Sequence, residues 1–415
     1  MSAAGGTSDP GVRRDSLVAP ALCVAFTAGC LGCIPWGVPL GKGAMIALLA
    51  LGGAALLAAR FDAAGRWSRV TIWPLPVVLG SFVLSIIGCQ LPGLSIERSV
   101  SMPLFSLTFL AVQVALWDAR TTRALWAALG CVALSMSADI VAQWITGRSL
   151  LGGVAGSGFG IGGSQGNRND MAAAALVLPG ALATFDGVRH ATLWRSAMAA
   201  AVVPVWALSL SRQAFGAWFL GVLSMTVRRN SLRATVVGVS VVVALAVAIV
   251  ASVPLARSRV SETLRNGLGE REPLIVLGAQ LAVQHPVTGI GPGLFGQYYL
   301  REARNGWTWR GQPLSMLGMP WVHCLPLEVA CEYGTVGLLA FGGVTFVALR
   351  RSGRAAWAGD PRGRAVLGML VAILLVGLVD LTLIKDWVRC EVWVCWGLAF
   401  GLGLPPKPAP APGAR

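Results

Sequence analysis

The sequence predicts an all-α polytopic membrane protein: about twelve transmembrane helices, both termini cytoplasmic, and a large outer loop containing amphipathic helices before the tenth span. Three observations carry that prediction. The 415-residue chain is 55% hydrophobic and only 12% charged, with a mean hydropathy of +0.69, too little polar side chain to clothe soluble domains of that length. Apolar runs recur along it, many near the roughly 20 residues that a helix needs to cross about 30 Å of hydrocarbon. Basic residues collect in alternate gaps between those runs. The runs are helices because a backbone in lipid must satisfy its hydrogen bonds within its own segment unless it closes a barrel.

In chain order the expected spans are about 17–38, 43–59, 70–91, 103–118, 124–145, 170–186, 196–211, 213–227, 234–256, 323–349, 365–384 and 388–404. The polar stretch up to Asp15 has no small-residue cleavage site after the first run, so that run is expected to be a retained span. An even number of spans puts both ends on one side. Basic clusters mark that side as cytoplasmic: Arg13 and Arg14; Arg60, Arg66 and Arg69; Arg120 and Arg123; Arg189 and Arg195; Arg228, Arg229 and Arg233; and Arg350, Arg351, Arg354, Arg362 and Arg364. The opposite face holds few basic residues in its short loops, chiefly Lys42, Arg98, Arg148, Arg168 and the Lys385/Arg389 pair. Residues 257–322 break that pattern, with Arg257, Arg259, Arg265, Arg271, Arg301, Arg304 and Arg310 on the outer face. Long loops cross largely regardless of charge, so the placement stands and the cationic loop needs a reason. The whole chain reads as one membrane domain with spans over about 17–256 and 323–404, a loop region 257–322, and a disordered cytoplasmic tail 405–415, a polyproline-like stretch that cannot pack a core.

The composition also excludes some classes. A formal charge of +15 would suit nucleic acid, but the basic residues lie between apolar runs and not along one polar face. The nine cysteines are an odd number, and Cys23, Cys30, Cys33, Cys89 and Cys131 fall inside apolar runs, which suits buried thiols better than disulfides or zinc. There is no fixed-period repeat and no inverted pair of Gly/Pro-broken helices of the kind many transporters carry.

Three histidines limit the choice of general base. His190 falls in a cytoplasmic loop, where a solvated residue is the ordinary reading, and His285 precedes Pro286 at the end of an expected amphipathic helix, 271–284. His323 stands where the outer loop re-enters the membrane, with Glu328 and Glu332 further along the same helix. A near-neutral base there is placed to take a proton from a sugar hydroxyl; a helix-capping or interfacial histidine is the plainer alternative. Arg212, in ALSLSRQAFGAWFLG, interrupts an apolar stretch, where an unpaired guanidinium costs a few kcal/mol. Such a charge is kept for a ligand or partner, or else snorkels at a tight turn between helices. Arg265 and Arg271 precede the amphipathic segment, and guanidinium forks bind diphosphate oxygens bidentately, which would account for the cationic loop.

Other segments have plainer readings. Residues 289–293, GIGPG, have no preceding strand and no following Walker lysine, so they read as a backbone turn. Asn167, Arg168, Asn169 and Asp170 close a glycine-rich outer segment just before a helix, where Asn and Asp serve as caps. Trp307 and Trp309, near Arg310, suit either sugar stacking or membrane anchoring. Without convincing metal-ligand spacing on the outer face, neutralising a phosphate leaving group would fall to arginine and not Mg²⁺.

At these residues the sequence resembles the O-antigen ligase and polymerase superfamily of lipopolysaccharide assembly. The matching features, in order, are the Asn-rich helix start at 167–170, the Ser211-Arg212 pair, Arg271 followed by an amphipathic helix ending in HPVTGIGPGLF, His323 followed by LPLEVACEYGTVGLLAF, and twelve spans with the large loop before the tenth. The likeness covers roughly the second half of the chain; the first five spans share only hydropathy.

The resemblance implies a bacterial inner-membrane glycosyltransferase, GT-C-like, with its active site facing the periplasm. The reaction it implies is a metal-independent, inverting transfer of O-antigen from undecaprenyl diphosphate to a lipid A-core sugar, with no cofactor and no nucleic-acid partner. His323 would be the base, and Arg212 and Arg271 would hold the diphosphate, with Arg265 as a second candidate for the loop arginine. Asn167, Arg168, Lys385 and Asp386 are further candidates for the site, and one of Asp380, Lys385 and Asp386 is expected to reach it. Many relatives, polymerases especially, follow the histidine with asparagine; Cys324 here favours ligase. The alternatives are an O-antigen polymerase or a protein O-oligosaccharyltransferase, which differ in acceptor, and a secondary transporter lined by Arg212, Asp139 and Asp380.

Overall fold

The computed structural model describes residues 10–36, 42–61, 66–150, 168–226, 271–314 and 321–402, with a few isolated positions between 236 and 251. Most of the expected span 234–256, the loop 257–270 and the tail 405–415 lie outside the described residues.

The described chain is helical almost throughout. In order it forms α1 (Pro10–Trp36), α2 (Lys42–Arg60), α3 (Pro74–Gly88), α4 (Pro92–Ser99), α5 (Ser101–Ala115), α6 (Ala119–Thr146), α7 (Ala172–Leu176), α8 (Leu178–Ala183), α9 (Ala191–Ala201), α10 (Val203–Ser209) and α11 (Arg212–Thr226). After the undescribed stretch come α12 (Glu272–Gln284), α13 (Phe295–Arg304), a hairpin of β1 (Thr308–Trp309) and β2 (Gln312–Pro313), then α14 (Leu325–Trp357), α15 (Pro361–Gly377) and α16 (Asp386–Gly401).

Among the described residues, α6, α14 and the unit Ala191–Ser209 are long and apolar enough to cross a membrane, and α4 with α5 makes a fourth if their 43° bend belongs to one span. The protein is therefore an all-α chain with membrane-length helices. Proline marks the breaks within two of these apolar units. Pro179 lies in the first turn of α8 and Pro204 in that of α10, and each removes the amide that would have continued the helix before it. The span expected over 170–186 is thus a 3₁₀ turn, Arg168–Met171, followed by two short helices.

The core is built around α16, which packs along α5 and also touches α14, α15 and α1. Trp393, Trp396 and Phe400 meet Phe109 and Phe341 edge to face there. The outside carries exposed apolar side chains such as Ile87, Leu339 and Phe346, as a lipid-facing surface requires. A smaller apolar cluster holds α12, α13 and the segment after the hairpin together through Leu277, Leu281, Leu294, Phe295, Leu314 and Val322.

α14 joins the two clusters. Its 33 residues would run about 50 Å if straight, but Gly334, at φ 67° and ψ −167°, interrupts it. The loop after α12 clips into that interruption: Ile290 N donates to Cys331 O, Gly291 N to Glu332 O, and Thr335 N to Pro286 O. The Glu332 side chain completes the clip by accepting from Gly293 N at 2.8 Å and Phe295 N at 3.1 Å. A Cβ on Gly334 would sit 2.2 Å from Val287 O, and one on Gly289 would sit 2.4 Å from the Glu332 carbonyl carbon. Both positions must be glycine.

Candidate functional site

His323 lies two residues before α14 in left-handed backbone (φ 58°), a conformation histidine adopts more readily than most residues. Its imidazole is hydrogen-bonded through Nδ1 to Asp380 Oδ1. Asp380 belongs to the turn between α15 and α16, buried through Leu383. Its second oxygen accepts from the Arg271 guanidinium at 2.8 Å, and the same guanidinium donates to Val379 O at 2.8 Å. Arg271 immediately precedes α12, whose first turn contains Pro273. Residues far apart in sequence thus share one carboxylate whose side chain is only 2% exposed. Removing one partner of such a buried ion pair costs about 3–5 kcal/mol. The carboxylate also fixes the imidazole tautomer: with Nδ1–H given to Asp380, the lone pair lies on Nε2.

Beside this relay stands a second ion pair. Lys385, the residue before α16, pairs with Asp170 of the Arg168–Met171 turn. Its Nζ lies 4.5 Å from the centroid of the Trp321 ring, and that ring lies 4.9 Å from the His323 imidazole. The turn carrying Asp170 packs against α10 and α11, so the start of α11 neighbours the same region. Glu328 braces the whole from below, accepting at 2.8 Å from Leu383 N in the α15–α16 turn. The buried turn residues therefore keep a partner for their backbone.

The structure brings together some of the sequence-predicted residues. His323 and Arg271 meet on Asp380, and Lys385 joins through Trp321. Of Asp380, Lys385 and Asp386, it is the first two that line this cluster. Asp386 turns instead to Ser101, 2.5 Å away, and to the buried Arg389 at 3.1 Å. Arg212 opens α11 with an exposed side chain, after Leu210 in left-handed backbone and Ser211, whose hydroxyl accepts from Ala214 N. It sits at a turn between two helices and not within a continuous one. Arg265 and Asn167 lie outside the described residues, as does the Arg168 side chain; the Arg168 backbone begins the 3₁₀ turn.

The remaining candidates have other duties. His285 ends α12 with its ring edge-on to Tyr298 at 6.0 Å, and His190 is exposed at the start of α9. Burial pushes the Tyr298 phenol up. Glu332 accepts from two backbone amides and Glu328 from one, and the partner of His323 is Asp380 and neither of them. The amides of Gly293, at the end of the GIGPG turn, and of Phe295, just after it, point to an anion, but that anion is the chain's own Glu332. Trp307 and Trp309 stack on the hairpin, 6.3 Å apart and 8° from parallel, and Arg310 ties it to Glu272 at 2.8 Å. Asp139 accepts from Ser149 in a separate cluster on α6. Among the described residues no group of three or more His, Cys, Asp or Glu side chains is arranged to hold a metal.

Asp170 and Trp321 were not readable as site residues. Asp170 stands where a helix cap is expected, yet α7 has no side-chain cap and its carboxylate goes to Lys385. The available signal was an acidic residue at the mouth of an apolar run. No family model matches the chain, and no curated protein matches it.

Proposed function

We propose that this chain is an O-antigen-ligase-type glycosyltransferase of the bacterial inner membrane, with about twelve spans and its site on the periplasmic face. It would take a glycan from undecaprenyl diphosphate and join it to a hydroxyl of the lipid A-core oligosaccharide. The observation that carries this reading is the Arg271–Asp380–His323 relay, which couples a base to a cation of the kind that grips phosphate. The order of sequence motifs supports it, as do the membrane-length helices that would flank a polyprenyl chain.

In this reading the acceptor hydroxyl oxygen attacks the anomeric carbon of the donor's first sugar from the face opposite the diphosphate. The bond between that carbon and the phosphate oxygen breaks, its electron pair stays with the diphosphate, and the hydroxyl proton passes to His323 Nε2. Configuration inverts because entering and leaving oxygens lie on opposite faces. Asp380 holds the imidazole in the required tautomer and stabilises the imidazolium as it forms. Among the described residues, two bonds from Arg271 go to Val379 O and Asp380, and a guanidinium has five N–H donors, so it retains donors for phosphate oxygens. Bound diphosphate is already a competent leaving group, so the reaction requires charge stabilisation and a base.

The test is complementation. Wild type, His323→Ala, Arg212→Ala and Arg271→Ala are expressed in a host lacking its own ligase but supplied with matching core and donor, and the lipopolysaccharide is run on a gel. The reading predicts a high-molecular-weight ladder with wild type and bare core with the inserted, folded variants. Longer lipid-linked glycan over bare core would make the protein a polymerase, and no change in either pool would favour transport.

A further inference from the structure

The two ion pairs beside His323 are each balanced: Arg271 faces Asp380 and Lys385 faces Asp170, so together these four side chains carry no net charge. A diphosphate brings two or more negative charges, and a partly buried site accepts them only if cations are released toward it. Arg271 keeps donors for phosphate, but its charge is shared with the carboxylate that orients the base. The Lys385–Asp170 pair serves no such purpose: Asp170 caps no helix, and its side chain and that of Lys385 are 13% and 15% exposed.

We infer that Lys385 is a further diphosphate-binding residue, held by Asp170 in the empty site and given up by it when the anionic ligand arrives. The inference rests on the proposed reading of the donor as a lipid diphosphate. Position supports it first. The 4.5 Å from Nζ to the Trp321 ring and the 4.9 Å from that ring to the imidazole bound the Nζ-to-imidazole separation below about 10 Å. One sugar diphosphate can therefore present its anomeric carbon to His323 and its phosphates to Lys385. The donor set supports it second. The Trp321 indole N–H is buried with no acceptor among the described residues, and a phosphate oxygen beside Lys385 would supply one. Lys385 also immediately precedes the 16-residue α16, whose positive end adds to the attraction. The ammonium suits the task because it is a point charge on a flexible stem and can swing from carboxylate to phosphate. If Asp170 takes one proton from solvent as it releases Lys385, the freed ammonium offsets one of the ligand's negative charges.

Farnesyl diphosphate binding to the purified full-length protein in detergent tests this, with wild type, Lys385→Ala, Lys385→Arg and Asp170→Asn compared at one ionic strength. Lys385→Ala is expected to weaken binding tenfold to a hundredfold, on the order of one lost charge-assisted bond, and Lys385→Arg to stay within a few-fold of wild type. Asp170→Asn, which removes the competing carboxylate, is expected to tighten binding severalfold. Equal binding by folded Lys385→Ala and wild type would overturn the inference while leaving the diphosphate reading intact. If wild type binds no diphosphate, that reading falls and the inference with it. Should Lys385→Ala not fold, Asp170→Asn decides: tighter binding supports the exchange, and unchanged or weaker binding overturns it.

Discussion

Glu332 and Asp380 are both buried carboxylates near the start of α14, both held by donors from the segment after residue 270, and they are satisfied in opposite ways. Glu332 accepts from two backbone amides, Gly293 and Phe295, within a loop that has no freedom to leave. Asp380 accepts from two side chains, Arg271 and His323, each with a further atom to offer a substrate. Burial is alike, 3% and 4% exposure, so burial does not separate structure from chemistry here. The identity of the donors does. A carboxylate saturated by amides is a clip, and one shared between a cation and an imidazole can orient a reaction.

Substitutions sharpen that contrast. The largest expected effect on activity is at His323: His323→Ala should lower the transfer rate by about 10²–10⁴-fold, the range of a lost general base, and also lower the melting temperature, because Asp380 loses a buried partner. Asp380→Asn should follow, costing activity through a mispositioned imidazole and also stability through the orphaned Arg271, read as a lower melting temperature in detergent. Glu332→Ala should reverse the balance. Its two amides would be left unsatisfied at about 1–3 kcal/mol each, so thermal stability should fall clearly while the rate of the protein that remains folded changes less than tenfold. If Glu332→Ala instead abolished turnover in folded protein, the division between clip and relay would be wrong. The smallest effect is expected on the hairpin: Arg310→Ala breaks an ion pair in which Arg310 is 71% exposed, and should shift the melting temperature little.

The sequence and the structure agree where the information is local. Apolar runs announce helices, and Pro179 and Pro204, visible in the sequence, mark where spans are cut into shorter pieces. GIGPG reads as a turn, and its glycines do adopt positive φ. What escaped reading is pairing across the chain. That Glu332 takes the Gly293 amide of GIGPG depends on a contact 39 residues apart, and that Lys385 reaches Asp170 depends on one 215 residues apart. No spacing rule encodes either. His323 and Arg271 drew attention as a base and a cation in a charge-poor chain, but the carboxylate joining them stood as one of three alternatives, because the α15–α16 turn, not the residue type, decides which one faces inward.

The most direct test of the account is glycosyl transfer by the purified protein reconstituted with a lipid-diphosphate-linked glycan and lipid A-core, comparing wild type, His323→Ala and Glu332→Ala at a temperature where all three are folded. The account predicts core-attached glycan and released undecaprenyl diphosphate with wild type and Glu332→Ala, and neither with His323→Ala. Equal transfer by His323→Ala would contradict it, as would a wild type that lengthens the lipid-linked glycan and leaves the core bare.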